Sequence, residues 1–117
     1  MKSVLAIDIG GTFIKYGLIH ENYRISNKGK VKTPNTTTED FLNELKSLYD
    51  SYKEEIRGIA ISAPGRISEE GVMLTAGILE YLEGFNLAQE LSEVCDGISV
   101  TVENDGKAAA LCEATIG

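Results

Sequence analysis

Two apolar, β-branched runs, SVLAIDI over residues 3–9 and TFIKYGLIH over residues 12–20, are separated only by Gly10-Gly11. Strands joined this tightly form a β-hairpin, and the glycines are expected to supply the positive φ of a short hairpin turn. Everything downstream must build on that antiparallel pair. YRISNKGKVKT (23–33) reads as a third, more exposed strand, its polar residues suiting a sheet edge. TTTEDFLNELKSLYDSYKEE (36–55) opens on candidate Thr N-caps. Its apolar residues Phe41, Leu42, Leu45, Leu48, Tyr49 and Tyr52 recur at helical spacing, which predicts an amphipathic helix.

A fourth strand, IRGIAISAP (56–64), ends at Pro64-Gly65. RISEEGVMLTAG (66–77) carries a Glu-Gly turn between short apolar pieces and reads as a small hairpin or irregular excursion. NLAQELSEVC (86–95) predicts a short helix, GISVTVEN (97–104) a fifth strand, and DGKAAALCEATIG (105–117) a final helix rich in alanine. The resulting order, β-β-β-α-β-excursion-α-β-α, describes a mixed α/β sheet: three antiparallel strands, then helix-linked parallel ones, with helices on both faces. The alanine run suits close packing of helix on sheet.

Composition narrows the function classes. The 117 residues predict one domain, long enough to bury a substantial core. Eighteen acidic residues against eleven Lys and Arg leave a net charge of −7, which argues against nucleic acid as the main partner. No apolar run approaches the roughly 18 residues of a membrane-spanning helix. The start MKSVLAID lacks the features of a signal peptide. Two cysteines, Cys95 and Cys112, cannot make a disulfide framework and fit a reducing cytosol, so the expected location is cytoplasmic. His20 is the only histidine, leaving little basis for a His-rich zinc site or a Ser-His-Asp triad.

Two motifs carry potential chemistry. In Asp8-Ile9-Gly10-Gly11-Thr12, with Lys15 beyond, a Gly-Gly turn lets backbone N–H groups approach an anion without a Cβ in the way. Thr12 adds a hydroxyl and Lys15 a point charge, and Asp8 would hold Mg²⁺ through water. The alternative is an ordinary turn whose acid points at solvent. In VTVENDGKAAALCE, Asn104 and Asp105 stand where a strand hands over to a helix, the usual place for ligand residues in open α/β sheets. A carboxylate there suits acceptance of a hydroxyl proton in phosphoryl transfer. Here the alternative is a plain N-cap pair.

Taken together, AIDIGGTFIKYGL, then AISAPGRI, then VENDGKAAALCE resemble the ROK family (repressors, open reading frames and sugar kinases), in the right order along the whole chain. The resemblance implies a ribonuclease-H-like domain of the actin, sugar kinase and chaperone-ATPase superfamily. It implies Asp105 as the base that deprotonates a sugar hydroxyl, with Asn104 as a sugar ligand beside it. Gly10, Gly11, Thr12 and Lys15 correspond to the ATP phosphate-binding hairpin, and Asp8 to the acid near Mg²⁺. Pro64, Gly65 and Arg66 correspond to a segment lining the sugar site, with Ala76 and Gly77 on a further approaching loop. Glu103 and Glu113 also match family positions, Glu113 as a structural anchor.

The family's second domain, with the rest of its nucleotide site, further sugar ligands and its Cys-rich zinc motif, has no counterpart in this sequence. The expectation is therefore the N-terminal domain, residues 1–117, of an ATP-dependent hexose or N-acylhexosamine kinase, with little activity of its own and a homodimeric full-length form. Two other readings remain: a sugar-responsive regulator of the same family, or a non-catalytic actin-like ATP-binding protein.

Overall fold

The register of the five strands sorts their side chains into two unlike faces. The computed structural model describes residues 2–75 and 79–104. Strands β1 (Ser3–Ile9), β2 (Phe13–Ile19) and β3 (Ile25–Lys32) are followed by helix α1 (Thr38–Tyr52) and strand β4 (Ile56–Ala63). A 3-10 turn (Glu80–Leu82), helix α2 (Leu87–Val94) and strand β5 (Ser99–Asn104) complete the described elements. The sheet order is β3-β2-β1-β4-β5. β1 pairs antiparallel with β2 and parallel with β4, and β4 pairs parallel with β5. This is the mixed sheet expected from the sequence. The final helix, with Cys112 and Glu113, falls on residues 105–117, outside the described residues.

One face of the sheet is the core. Leu5, Ile7 and Ile9 of β1 align with Leu18 and Ile14 of β2 and with Ile59 and Ile61 of β4. On this layer lie Phe41, Leu45, Leu48 and Tyr49 of α1, together with Leu87 and Leu91 of α2. Both described helices thus cover the same face. Met73, Leu79 and Leu82 fill the space beside them, so the excursion after β4 is packed structure. The Glu70-Gly71 turn forms as expected, with Gly71 at φ +89° and Ile67 bridging Met73.

Local signals explain where the helices begin. Thr37 caps α1, its hydroxyl accepting the Asp40 N–H at 3.1 Å, and Glu39 and Asp40 suit the positive end of the helix dipole. Asn86 caps α2 by accepting the Gln89 N–H at 3.0 Å. At the sheet end remote from the Gly-Gly turn, the His20 ring bridges the Ser3 and Ser26 hydroxyls. The lone histidine, just past β2, therefore ties the start of β1 to β3.

The Tyr49 hydroxyl donates to Asp96 at 2.9 Å and so joins α1 to the end of α2. Burial, reinforced by that hydrogen bond, pushes the Tyr49 phenol up to about 12. Burial also pushes the Cys95 thiol up to about 11, which leaves it protonated and unreactive at neutral pH. In the unfolded chain these groups lose their protons near their ordinary values of 10.0 and 9.0. Their contribution is complete below those values and is lost as pH rises through the folded ones, a window from about pH 9 to 12. Thermal melts of the protein are expected to fall across that window. Tyr49→Phe should lower neutral-pH stability by about 1 kcal/mol and flatten the part of the profile above pH 10. An unchanged profile in the variant contradicts this account.

Candidate active site

The second face of the sheet is built differently. Pairing brings Lys30, Lys15, Asp8, Ser62 and Glu103 into one lateral row across β3, β2, β1, β4 and β5. Asp8, Lys15 and Lys30 are exposed, while Ser62 and Glu103 are half-buried. The next row, Gly17, Ala6, Ala60 and Thr101, is small and leaves the face low. A groove of about 1130 Å³ runs over it, with Asp8, Lys15, Ser62 and Glu103 among its lining residues. Asp8, the one acid in SVLAIDI, is thus the outward-facing residue of a strand buried on its other side.

Beyond this row the chain turns at Gly10-Gly11. The turn closes with the Gly10 N–H donating to the Phe13 carbonyl at 3.0 Å. The expectation of positive φ is not met: among the described residues, the glycines in the left-handed region are Gly65, Gly71, Gly84 and Gly97. The residues from Gly10 to Phe13 reverse the chain without it. Glycine is needed at position 10 for space, because a Cβ there would stand 2.9 Å from the Phe13 carbonyl oxygen. Thr12 is exposed at the tip, and the Lys30 ammonium lies 4.3 Å from the centre of the Phe13 ring.

Pro64, Gly65 and Arg66 leave the carboxyl end of β4. Gly65 holds φ +85°, and a Cβ there would collide with the Thr75 carbonyl. The Arg66 N–H donates to the Thr75 hydroxyl at 2.9 Å, and the Leu74 N–H donates to the Arg66 carbonyl at 2.8 Å. The segment is therefore clamped on the excursion, with the Arg66 side chain exposed. Asn104 ends β5 opposite Ala63, beside this segment. Strand alternation sets Asn104 on the face opposite to Glu103.

The carboxyl ends of β1, β4 and β5 thus gather Asp8, the Gly-Gly turn, the Pro64–Arg66 segment and Asn104 along one edge of the sheet. Asp8 and Asn104 stand two strands, about 10 Å, apart. Ligands of open α/β sheets bind at such an edge. Asp105, Ala76 and Gly77 lie outside the described residues. Lys30 and Ser62 were not singled out by the sequence, because only strand register aligns them with Asp8.

Residues 4–117 match the sequence profile of the ROK family. The chain belongs to the ROK family. An N-acetylmannosamine kinase of Salmonella newport (strain SL254) is 40% identical over 114 residues, which cover 95% of this chain and 38% of that protein. Among solved structures, the ROK glucokinase of Streptomyces griseus, in complex with glucose and AMPPNP, matches with a TM-score of 0.85 at 29% identity. That match covers 98% of this chain and 37% of the glucokinase. A ROK hexokinase of Thermus thermophilus matches with a TM-score of 0.84 at 28% identity, over 98% of this chain and 39% of its own. This ROK chain therefore spans about two fifths of the length of sugar kinases that share its fold.

Proposed function

We propose that this chain is the N-terminal part of an ATP-dependent kinase that transfers the γ-phosphoryl group to a hydroxyl of a hexose or N-acylhexosamine. The observation that carries the reading is the shared sheet edge. Along it lie the Gly10-Gly11 turn with Lys15 and, two strands away, the Pro64–Arg66 segment with Asn104. Its support from relatives is the likeness to a glucokinase crystallised with glucose and an ATP analogue and to an N-acetylmannosamine kinase.

In this reading the Gly10-Gly11 turn, Thr12 and Lys15 bind the phosphates of ATP, and Asn104 and the Pro64–Arg66 backbone orient the sugar. Ala76 and Gly77 approach the ring from the further loop. Asp105 accepts the proton of the attacking hydroxyl. Positioning and charge stabilisation then supply most of the rate. Asp8 fits a magnesium ion by its chemistry: it is an exposed hard-oxygen ligand beside the turn. An ion held by one carboxylate, water and substrate oxygens is the arrangement Mg²⁺ prefers. Bound there, it would neutralise charge on the transferring phosphoryl.

A panel of hexoses and N-acylhexosamines with the full-length protein, in a coupled ADP assay, tests the reading. Sugar-dependent ADP release is the expected result, and its absence across the panel overturns it. Residues 1–117 alone should show less than about one thousandth of that turnover, since proximity requires both walls of the cleft. Sugar-dependent turnover by the isolated chain at full-length rates would contradict this.

A further inference from the structure

Thr33 is 4% exposed, one of two buried polar side chains among the described residues, the other being Ser3. It stands one residue past β3 and 23 positions from the turn it touches. Its hydroxyl donates to the Gly10 carbonyl at 2.7 Å, and its backbone N–H donates to the Thr12 carbonyl at 2.9 Å. The carbonyls on either side of Gly11 are thus both held by Thr33.

The direction of that hold follows from strand alternation. Lys30 and Lys32 pair with Lys15 and Phe13 and share their open face. Val31 and, continuing the ladder, Thr33 point to the core face. The Gly10 carbonyl is therefore drawn to the core side. No peptide bond among the described residues is cis, so the Gly11 N–H lies anti to the Gly10 carbonyl. It must then point to the open face, the face of Asp8 and Lys15.

We propose that Thr33 is a positioning residue for phosphate binding: its hydroxyl locks the Gly10–Gly11 peptide so that the turn presents an N–H, rather than a carbonyl, to the phosphates. This rests on the kinase reading above. Two adjacent glycines leave the peptide free to rotate unless something holds it. Without the hydroxyl, the Gly10 carbonyl loses its buried donor and the flipped peptide becomes competitive. A flipped peptide both removes one donor to the phosphate and adds a repulsive oxygen. The lock requires a hydroxyl and not bulk, which separates it from a packing role.

The test uses the full-length protein as wild type, Thr33→Val and Thr33→Ser. Binding of a non-hydrolysable ATP analogue with Mg²⁺ is measured by calorimetry, and the KM of the best sugar substrate by the coupled assay. Thr33→Val should weaken nucleotide binding about 10- to 100-fold while the sugar KM stays within about twofold. Thr33→Ser should bind within about threefold of wild type, because it keeps the hydroxyl. In the wild type, the Gly11 amide resonance should shift when the nucleotide analogue binds, a readout that does not depend on how well any variant folds. Three results overturn the assignment alone: wild-type binding by Thr33→Val, a Thr33→Ser variant as weak as Thr33→Val, or a Gly11 amide indifferent to nucleotide. A wild-type protein that binds no nucleotide overturns the kinase reading, and this assignment with it.

Discussion

Asp105→Asn is expected to lower sugar-dependent ATP turnover of the full-length protein by about 10²–10⁴-fold, with the KM for ATP and the melting temperature nearly unchanged. The substitution keeps the size of the side chain and its capacity to cap a helix, but an amide cannot take up the hydroxyl proton. It therefore separates the two alternatives that the motif left open. A residue serving only as a cap would tolerate Asn, which is as good an N-cap as Asp. A base would not. In the sequence Asp105 directly follows Asn104, which ends β5 opposite Ala63 and beside the Pro64–Arg66 segment. Turnover within about tenfold of wild type would remove Asp105 from the mechanism.

Phe41→Ala should give the largest loss of stability, about 3–5 kcal/mol, against a typical total of about 5–15 for a folded domain. Phe41 is fully buried in the first turns of α1. Its ring meets Tyr81 edge-on, with centroids 6.4 Å apart, so it joins the helix to the excursion that carries Thr75. Truncation leaves a cavity between elements anchored on different parts of the sheet, which cannot easily close together. Urea denaturation of the full-length variant measures this, and a loss below about 1 kcal/mol contradicts the central place given to Phe41. Because Tyr81 also donates to the Pro34 carbonyl, the variant should loosen the connection that follows Thr33.

Much of the fold was legible because its signals are local. The alternation of SVLAIDI, the spacing of Phe41, Leu45, Leu48 and Tyr49, and the Thr37 cap each lie within a few residues of what they determine. The 3-10 turn at Glu80–Leu82 was not legible, since three residues carry no periodicity. The conformation of Gly10-Gly11 was misjudged for a related reason. The pair marks a turn, but whether it serves backbone rotation or close approach depends on where the Phe13 carbonyl falls.

The candidate site divides along the same line. From the sequence alone come the hairpin, the order of elements along the chain and the two motifs around Asp8 and Asn104, because period-two alternation and glycine punctuation are properties of neighbouring residues. Only the tertiary structure decides that Lys30, Lys15, Asp8, Ser62 and Glu103 form one row, since register is a relation between strands. Only it brings the Thr33 hydroxyl to the Gly10 carbonyl across 23 positions, a hydrogen bond that depends on β3 returning along β2. Local patterns determine what each segment is; the partners a side chain meets are set by how distant segments align.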